Sequence, residues 1–85
     1  MNISPNEARA TKVEFGADSF SVTLLDGRIL SVPKVWFPSL CEASDLQLKK
    51  YVLSGGGIGI HWDELDEDIS VPGLLLGNAS AKSIA

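Results

Sequence analysis

Apolar and polar positions alternate over the first third of the chain. Val13 and Phe15 stand two apart within residues 12–15 and predict a first strand with both side chains facing inward. Phe20, Val22 and Leu24 alternate with Ser21 and Thr23, the signature of a half-buried strand, because successive side chains of a strand point to opposite faces. Asp26-Gly27 marks a turn. Two registers compete beyond it. A two-residue loop sets Val22 opposite Ser31 and mixes apolar with polar on one face. A three-residue loop, Leu25-Asp26-Gly27, sets Val22 opposite Leu30 and Phe20 opposite Val32, and keeps the apolar face continuous. It also puts Gly27 where a type I turn with a bulge needs a left-handed residue. The spacing therefore predicts that hairpin, with positive φ at Gly27. Pro33 ends the third strand.

Helical signals follow. Pro38 suits an early helical position, and Trp36 and Leu40, four apart, can share one face. Ser44-Asp45-Leu46-Gln47 reads as a capping box, in which the Ser44 hydroxyl caps an amide and Gln47 reaches back. This predicts a helix with Leu48, Tyr51 and Val52 as its buried stripe and Ser54-Gly55 as its stop. Ile58, Ile60 and Trp62 alternate with Gly59 and His61, giving a fourth strand. Leu65, Ile69, Val71, Leu74, Leu75 and Leu76 are apolar anchors in a turn-rich stretch, where Ser70 followed by Pro72 can open one more helical turn. The expected architecture is a two-layer α+β domain in the order β-β-β-α-β, a mainly antiparallel sheet with helix on one face. It spans residues 10–77, between a flexible lead-in (1–9) and a flexible tail (78–85).

Composition narrows the classes of function. The 85 residues suit one domain, and 45% hydrophobic content is too high for a disordered chain. The formal net charge of −4 argues against direct nucleic-acid contact, which needs a basic face, and suits a basic protein partner. Cys41 is the only cysteine, which excludes an intrachain disulfide and a cysteine zinc site; core packing is its expected role. The N-terminus lacks the basic and apolar regions of a signal peptide, and no apolar run reaches membrane-spanning length. A cytoplasmic protein is expected, with no membrane contact.

Residues 55–70 change that picture most. They hold four of the eight glycines, the only histidine, one of the two tryptophans and five of the eleven acids. The glycines do not make a phosphate cradle. Such loops follow a strand and open a helix, whose N-terminus supplies amides and positive dipole, whereas here a helix is expected before them and a strand after. His61 is expected on the outer face of its strand, opposite to Ile60 and Trp62, where it can titrate near neutrality. A catalytic histidine needs a nucleophile or an orienting partner, and no serine here sits in a nucleophile elbow. The run Asp63, Glu64, Asp66, Glu67, Asp68 does not follow the spacing of an EF-hand loop. It reads as a solvated turn with some carboxylates capping amides, as an acidic patch for a lysine- and arginine-rich partner, or as a divalent-metal site that follows no recognised motif. An exposed Trp36-Phe37 edge would add an aromatic anchor. The candidate partner-binding residues are thus Trp36, Phe37, His61, Trp62, Asp63, Glu64, Asp66, Glu67 and Asp68. The residues offer no cofactor site, no metal ligand set and no catalytic constellation.

Several segments together carry a resemblance: Val32-Pro33, Trp36-Phe37-Pro38, Gln47, Gly57-Ile58-Gly59-Ile60-His61-Trp62 and Leu65-Asp66-Glu67-Asp68-Ile69-Ser70-Val71. Over roughly residues 10 to 77 the chain resembles a widespread bacterial family of small domains of unknown function. The resemblance implies a three-strand, helix, strand domain, and no catalytic residue comes with it. It also implies an antitoxin-like or accessory role, since similar domains are often encoded beside another small protein as in a toxin–antitoxin pair. Some similar domains are followed by a DNA-binding helix-turn-helix; this sequence departs from that pattern. Three readings follow. The first is a partner-binding module, antitoxin-like within a small two-protein system. The second is a transcriptional regulator or accessory factor acting on DNA through its partner. The third is a small metal-dependent or acid–base enzyme using His61 with Asp63 or Asp66. An edge strand with open backbone groups would also allow a homodimer.

Overall fold

The structure, a computed structural model, describes residues 8–77. Its first half is an antiparallel sheet of β1 (Ala10–Phe15), β2 (Ser19–Leu24) and β3 (Ile29–Pro33), in that order. Phe20 lies opposite Val32 and Val22 opposite Leu30, as the apolar pattern requires. The three-residue loop is closed by Leu24, whose N–H donates to the Arg28 carbonyl at 2.8 Å and whose carbonyl accepts from Gly27 N–H at 2.9 Å. Gly27 has φ of 95°. Val13, Phe20, Val22, Leu24 and Val32 turn inward and are buried.

A short 3-10 helix (Lys34–Trp36) leads to α1 (Pro38–Glu42), with Pro38 at its start and Leu40 buried. Ser44 then caps α2 (Asp45–Leu48) with the expected box. Its Oγ accepts from Gln47 N–H at 3.2 Å, and Gln47 Oε1 accepts from Ser44 N–H at 2.9 Å. The helix stops far earlier than its stripe predicts. In a longer helix the Leu48 carbonyl would accept from the N–H of Val52. Here it accepts from the Trp62 indole N–H at 3.0 Å instead. Tyr51 lies in the connection, its hydroxyl accepting from Val13 N–H at 3.2 Å, and Val52 opens a strand with its side chain exposed.

That strand, β4 (Val52–Ser54), belongs to a second antiparallel sheet with β5 (Gly59–Trp62) and β6 (Glu67–Ser70), in the order β4-β5-β6. Gly55-Gly56-Gly57 therefore links two strands and does not stop a helix. A Cβ on Gly57 would stand 2.3 Å from the Ala10 carbonyl oxygen, so the glycine lets the second sheet's hairpin press against β1. The chain closes with α3 (Val71–Leu75), capped by Ser70, whose Oγ accepts from Gly73 N–H at 3.1 Å.

Among the described residues the architecture is α+β, with two antiparallel three-stranded sheets and three short α-helices. The expected order of elements gains two strands, β4 and β6, and its one long helix gives way to short ones. One apolar cluster draws on both sheets, with Phe20 and Val22 from the first and Ile60, Trp62 and Ile69 from the second. The Phe15 ring meets Trp62 edge-on at 6.1 Å between centroids. Burying each such side chain contributes about 1.5–3 kcal/mol. Ala8 is already buried, and Arg9 Nη1 donates to the Gly55 carbonyl at 2.9 Å. The rest of the expected lead-in and the whole expected tail lie outside the described residues.

Candidate functional site

The second sheet has one face in the core and one in solvent. Ile60 lies opposite Leu53 and Ile69, and all three face inward. His61 lies opposite Val52 on one side and Asp68 on the other, on the outer face. Period-two geometry alone sets this division.

His61 is gripped from two sides. Its Nδ1 is 2.6 Å from Asp68 Oδ1, and its Nε2 is 2.6 Å from Asp63 Oδ1. Asp68 comes from the neighbouring strand, and Asp63 from the first residue after β5. The turn between them closes with Asp66 in the left-handed region, at φ 50°. The imidazole is 32% exposed, and the carboxylate side chains of Asp63 and Asp68 are 91% and 78% exposed. The Asp63 hydrogen bond, then that of Asp68, raises the pKa of His61 above its ordinary 6.5. Beside this group Lys50 Nζ donates to Glu64 Oε2 at 2.7 Å and holds the Glu64 carboxyl below its usual value. Among the described residues no cluster of three or more His, Cys, Asp and Glu is arranged to hold a metal ion. A cavity of about 460 Å³ along β1, lined by Val13, Glu14, Phe15, Asp45, Lys49 and Tyr51, shares no residue with this face.

The nine candidate residues separate. His61, Asp63 and Asp68 form one hydrogen-bonded unit, with Glu64 and Asp66 in the exposed turn beside it. Trp62, Phe37 and Glu67 are 1%, 3% and 3% exposed, which corrects the expectation of a continuous exterior surface. Trp62 and Phe37 are core. Glu67 follows the parity of Ile69, two residues on, and turns inward with it; its Oε1 accepts from Ser39 Oγ at 2.5 Å and ties β6 to α1. Trp36 is half-buried against the core, and the adjacent Val35 is the exposed apolar residue there. Cys41 is exposed, not packed in the core, because Leu40 takes the inward position of α1 and the next residue on a helix points about 100° away. Sequence reasoning missed Lys50 and Val52, which border this face. It assigned both to a helix, and only the strand pairing brings Val52 beside His61.

Fold and site define a small α+β domain with a carboxylate-clasped histidine on the outer face of its second sheet. The family model described as a protein of unknown function, DUF2442, matches residues 10–80, and the chain belongs to that family. This bears out the resemblance carried by the segments around His61 and Asp68. The family description names no enzymatic activity. The chain is similar to a protein of unknown function from Rhodospirillum rubrum known from a crystal structure: 36% identity, TM-score 0.77, 93% of this chain and 98% of that one. It is also similar to an uncharacterised protein from Chromobacterium violaceum solved by NMR in solution: 27% identity, TM-score 0.71, 87% of this chain and 71% of that one. No curated protein matches the chain. Among the described residues no helix is long and apolar enough to cross a membrane.

Proposed function

We propose that the protein is a partner-binding module whose contact surface is the outer face of the second sheet with the turn that follows β5. Its partner presents lysine and arginine side chains there. The observation that carries this reading is the placement of Asp63 and Asp68, both largely exposed, across one histidine on an ordered sheet face. Exposed Val52 beside them offers apolar area, and Glu64 adds a further carboxylate. A net charge of −4 favours encounter with a basic partner. The surface holds acceptors and a titratable base, but the hydrogen bonds of His61 go to carboxylates and to no hydroxyl or thiol nucleophile. That favours docking over bond-making.

In its biological form this reading is the antitoxin-like half of a small bacterial two-protein system in the cytoplasm. Co-expression with the product of the adjacent gene tests it. The expected result is a complex at micromolar concentration that weakens with salt, and that loses roughly tenfold or more in affinity when Asp63→Lys and Asp68→Lys are combined. Absence of a complex at low salt, or equal binding by the double variant, overturns it.

A further inference from the structure

His61 faces more hydrogen-bonding demand than a neutral imidazole can meet. Both ring nitrogens lie 2.6 Å from a carboxylate oxygen, and a carboxylate only accepts. The imidazolium has two N–H donors and satisfies both contacts. Neutral imidazole has one donor and one lone pair, and the lone pair would face a carboxylate oxygen at hydrogen-bonding distance. One of the two contacts must then open.

We propose that His61 is a proton-operated clasp on the turn between β5 and β6: protonated, it holds Asp63 against the sheet; on losing its proton it keeps Asp68 and releases Asp63. The choice of which carboxylate leaves follows from the backbone. Asp68 lies opposite His61 in the β5–β6 ladder, so its position is set by strand pairing. Asp63 lies past the end of β5. The charged and titratable surroundings are few. From β4, Val52 faces His61 and carries no charge. From β6 comes Asp68, and from the turn Asp63. Lys50 and Glu64 form an ion pair at 2.7 Å next to Asp63, and their charges offset each other. The turn also carries exposed Asp66, and Glu67 of β6 turns inward to Ser39; the two ring nitrogens of His61 bond Asp63 and Asp68.

The sign of the linkage follows. Both aspartates favour the charged imidazole and raise its pKa above 6.5. The clasp's contribution to stability is complete below 6.5, where even the unfolded chain's histidine is charged, and is lost as pH rises through the folded-state midpoint. Opening also adds one net negative charge to the face and frees a carboxylate. On the partner-binding reading proposed above, on which this last step rests, a basic segment then binds more tightly at the higher pH.

His61 is the only histidine, so its ring signals report the clasp alone. Proton and carbon NMR of the intact chain across pH 5–9 tests the proposal. We expect a midpoint above 6.5, carboxyl carbon shifts of Asp63 that move with the same midpoint, and a lower midpoint in Asp63→Asn and in Asp68→Asn. In His61→Gln the Asp63 shift near neutrality should disappear while the amide spectrum stays folded. A midpoint at or below 6.5, or an Asp63 carboxyl that ignores it, overturns the clasp and leaves partner binding standing. In a complex, affinity should rise roughly two- to fivefold through the midpoint in the parent chain, the worth of about one exposed ion pair, and stay level in His61→Gln. A normal NMR titration with no partner bound at any pH counts against the docking reading alone.

Discussion

Strands β1, β2 and β3 run six, six and five residues; β4, β5 and β6 run three, four and four. The first sheet has enough ladder to hold its own register. The second draws support from contacts with other elements: the Trp62 indole bonds Leu48, Glu67 bonds Ser39 on α1, and the Gly57 backbone in the β4–β5 connection lies against β1. The outer faces differ as well. On the first sheet, Thr23 lies opposite Lys12 and Ile29, and Ser21 lies opposite Glu14 and Ser31, a mixed and weakly interacting surface. On the second, a histidine and two carboxylates form one bonded unit. A short sheet anchored from behind can keep its front free for charged groups, and that is where the candidate site lies.

The sharpest way to break this comparison is to cut the anchor. Trp62→Ala removes a fully buried ring, its edge contact with Phe15 and the indole bond that ends α2. We expect a loss of about 3–5 kcal/mol in urea unfolding. Trp62 joins the two sheets, so both should melt together, as fluorescence and backbone NMR would show. A loss below about 1 kcal/mol would mean that the second sheet stands without it.

A smaller effect separates two glycines. Gly27 and Gly57 have similar φ, 95° and 103°. A Cβ on Gly27 meets nothing within 4 Å, while one on Gly57 meets the Ala10 backbone at 2.3 Å. Gly27→Ala should cost only left-handed strain, about 1–2 kcal/mol. Gly57→Ala adds a backbone clash between the sheets and should cost about 3 kcal/mol or more. Equal costs would remove Gly57 as a point of close approach.

The same contrast governs what could be read in advance. Phe20, Val22, Leu24, Leu30 and Val32 carry period two and a turn with its own chemistry, so the first hairpin was legible to the residue. Ser44 and Gln47 announced the start of α2 equally well. Its end was not legible, because the group that takes the Leu48 carbonyl is Trp62, fourteen residues away. With the end of α2 misplaced, β4 was hidden, and so were Lys50 and Val52 as neighbours of the site. The outward position of His61 was legible from Ile60 and Trp62. The division of the acidic run was encoded in Ile69, whose inward parity carries Glu67 into the core and sends Asp68 out. Reading the run as one patch obscured that.

The smallest effects distinguish the two outer faces most directly. Lys12 and Glu14 sit at 3.7 Å with both side chains largely exposed. Such a pair gains little Coulomb energy in water and costs side-chain entropy, so Lys12→Gln should change stability by no more than about 0.5 kcal/mol. It should leave the titration of His61 where it was. Lys50→Gln acts on the other face. It removes the cation that holds Glu64 low, so the Glu64 carboxyl should return toward its ordinary 4.5. It also leaves the Glu64 charge uncompensated beside the clasp, and the His61 midpoint should move further up. The two lysines are thus alike in exposure, yet only one should be felt by the histidine. If both variants leave His61 unmoved, the carboxylates of the second sheet act pairwise, and the face behaves electrostatically like the first.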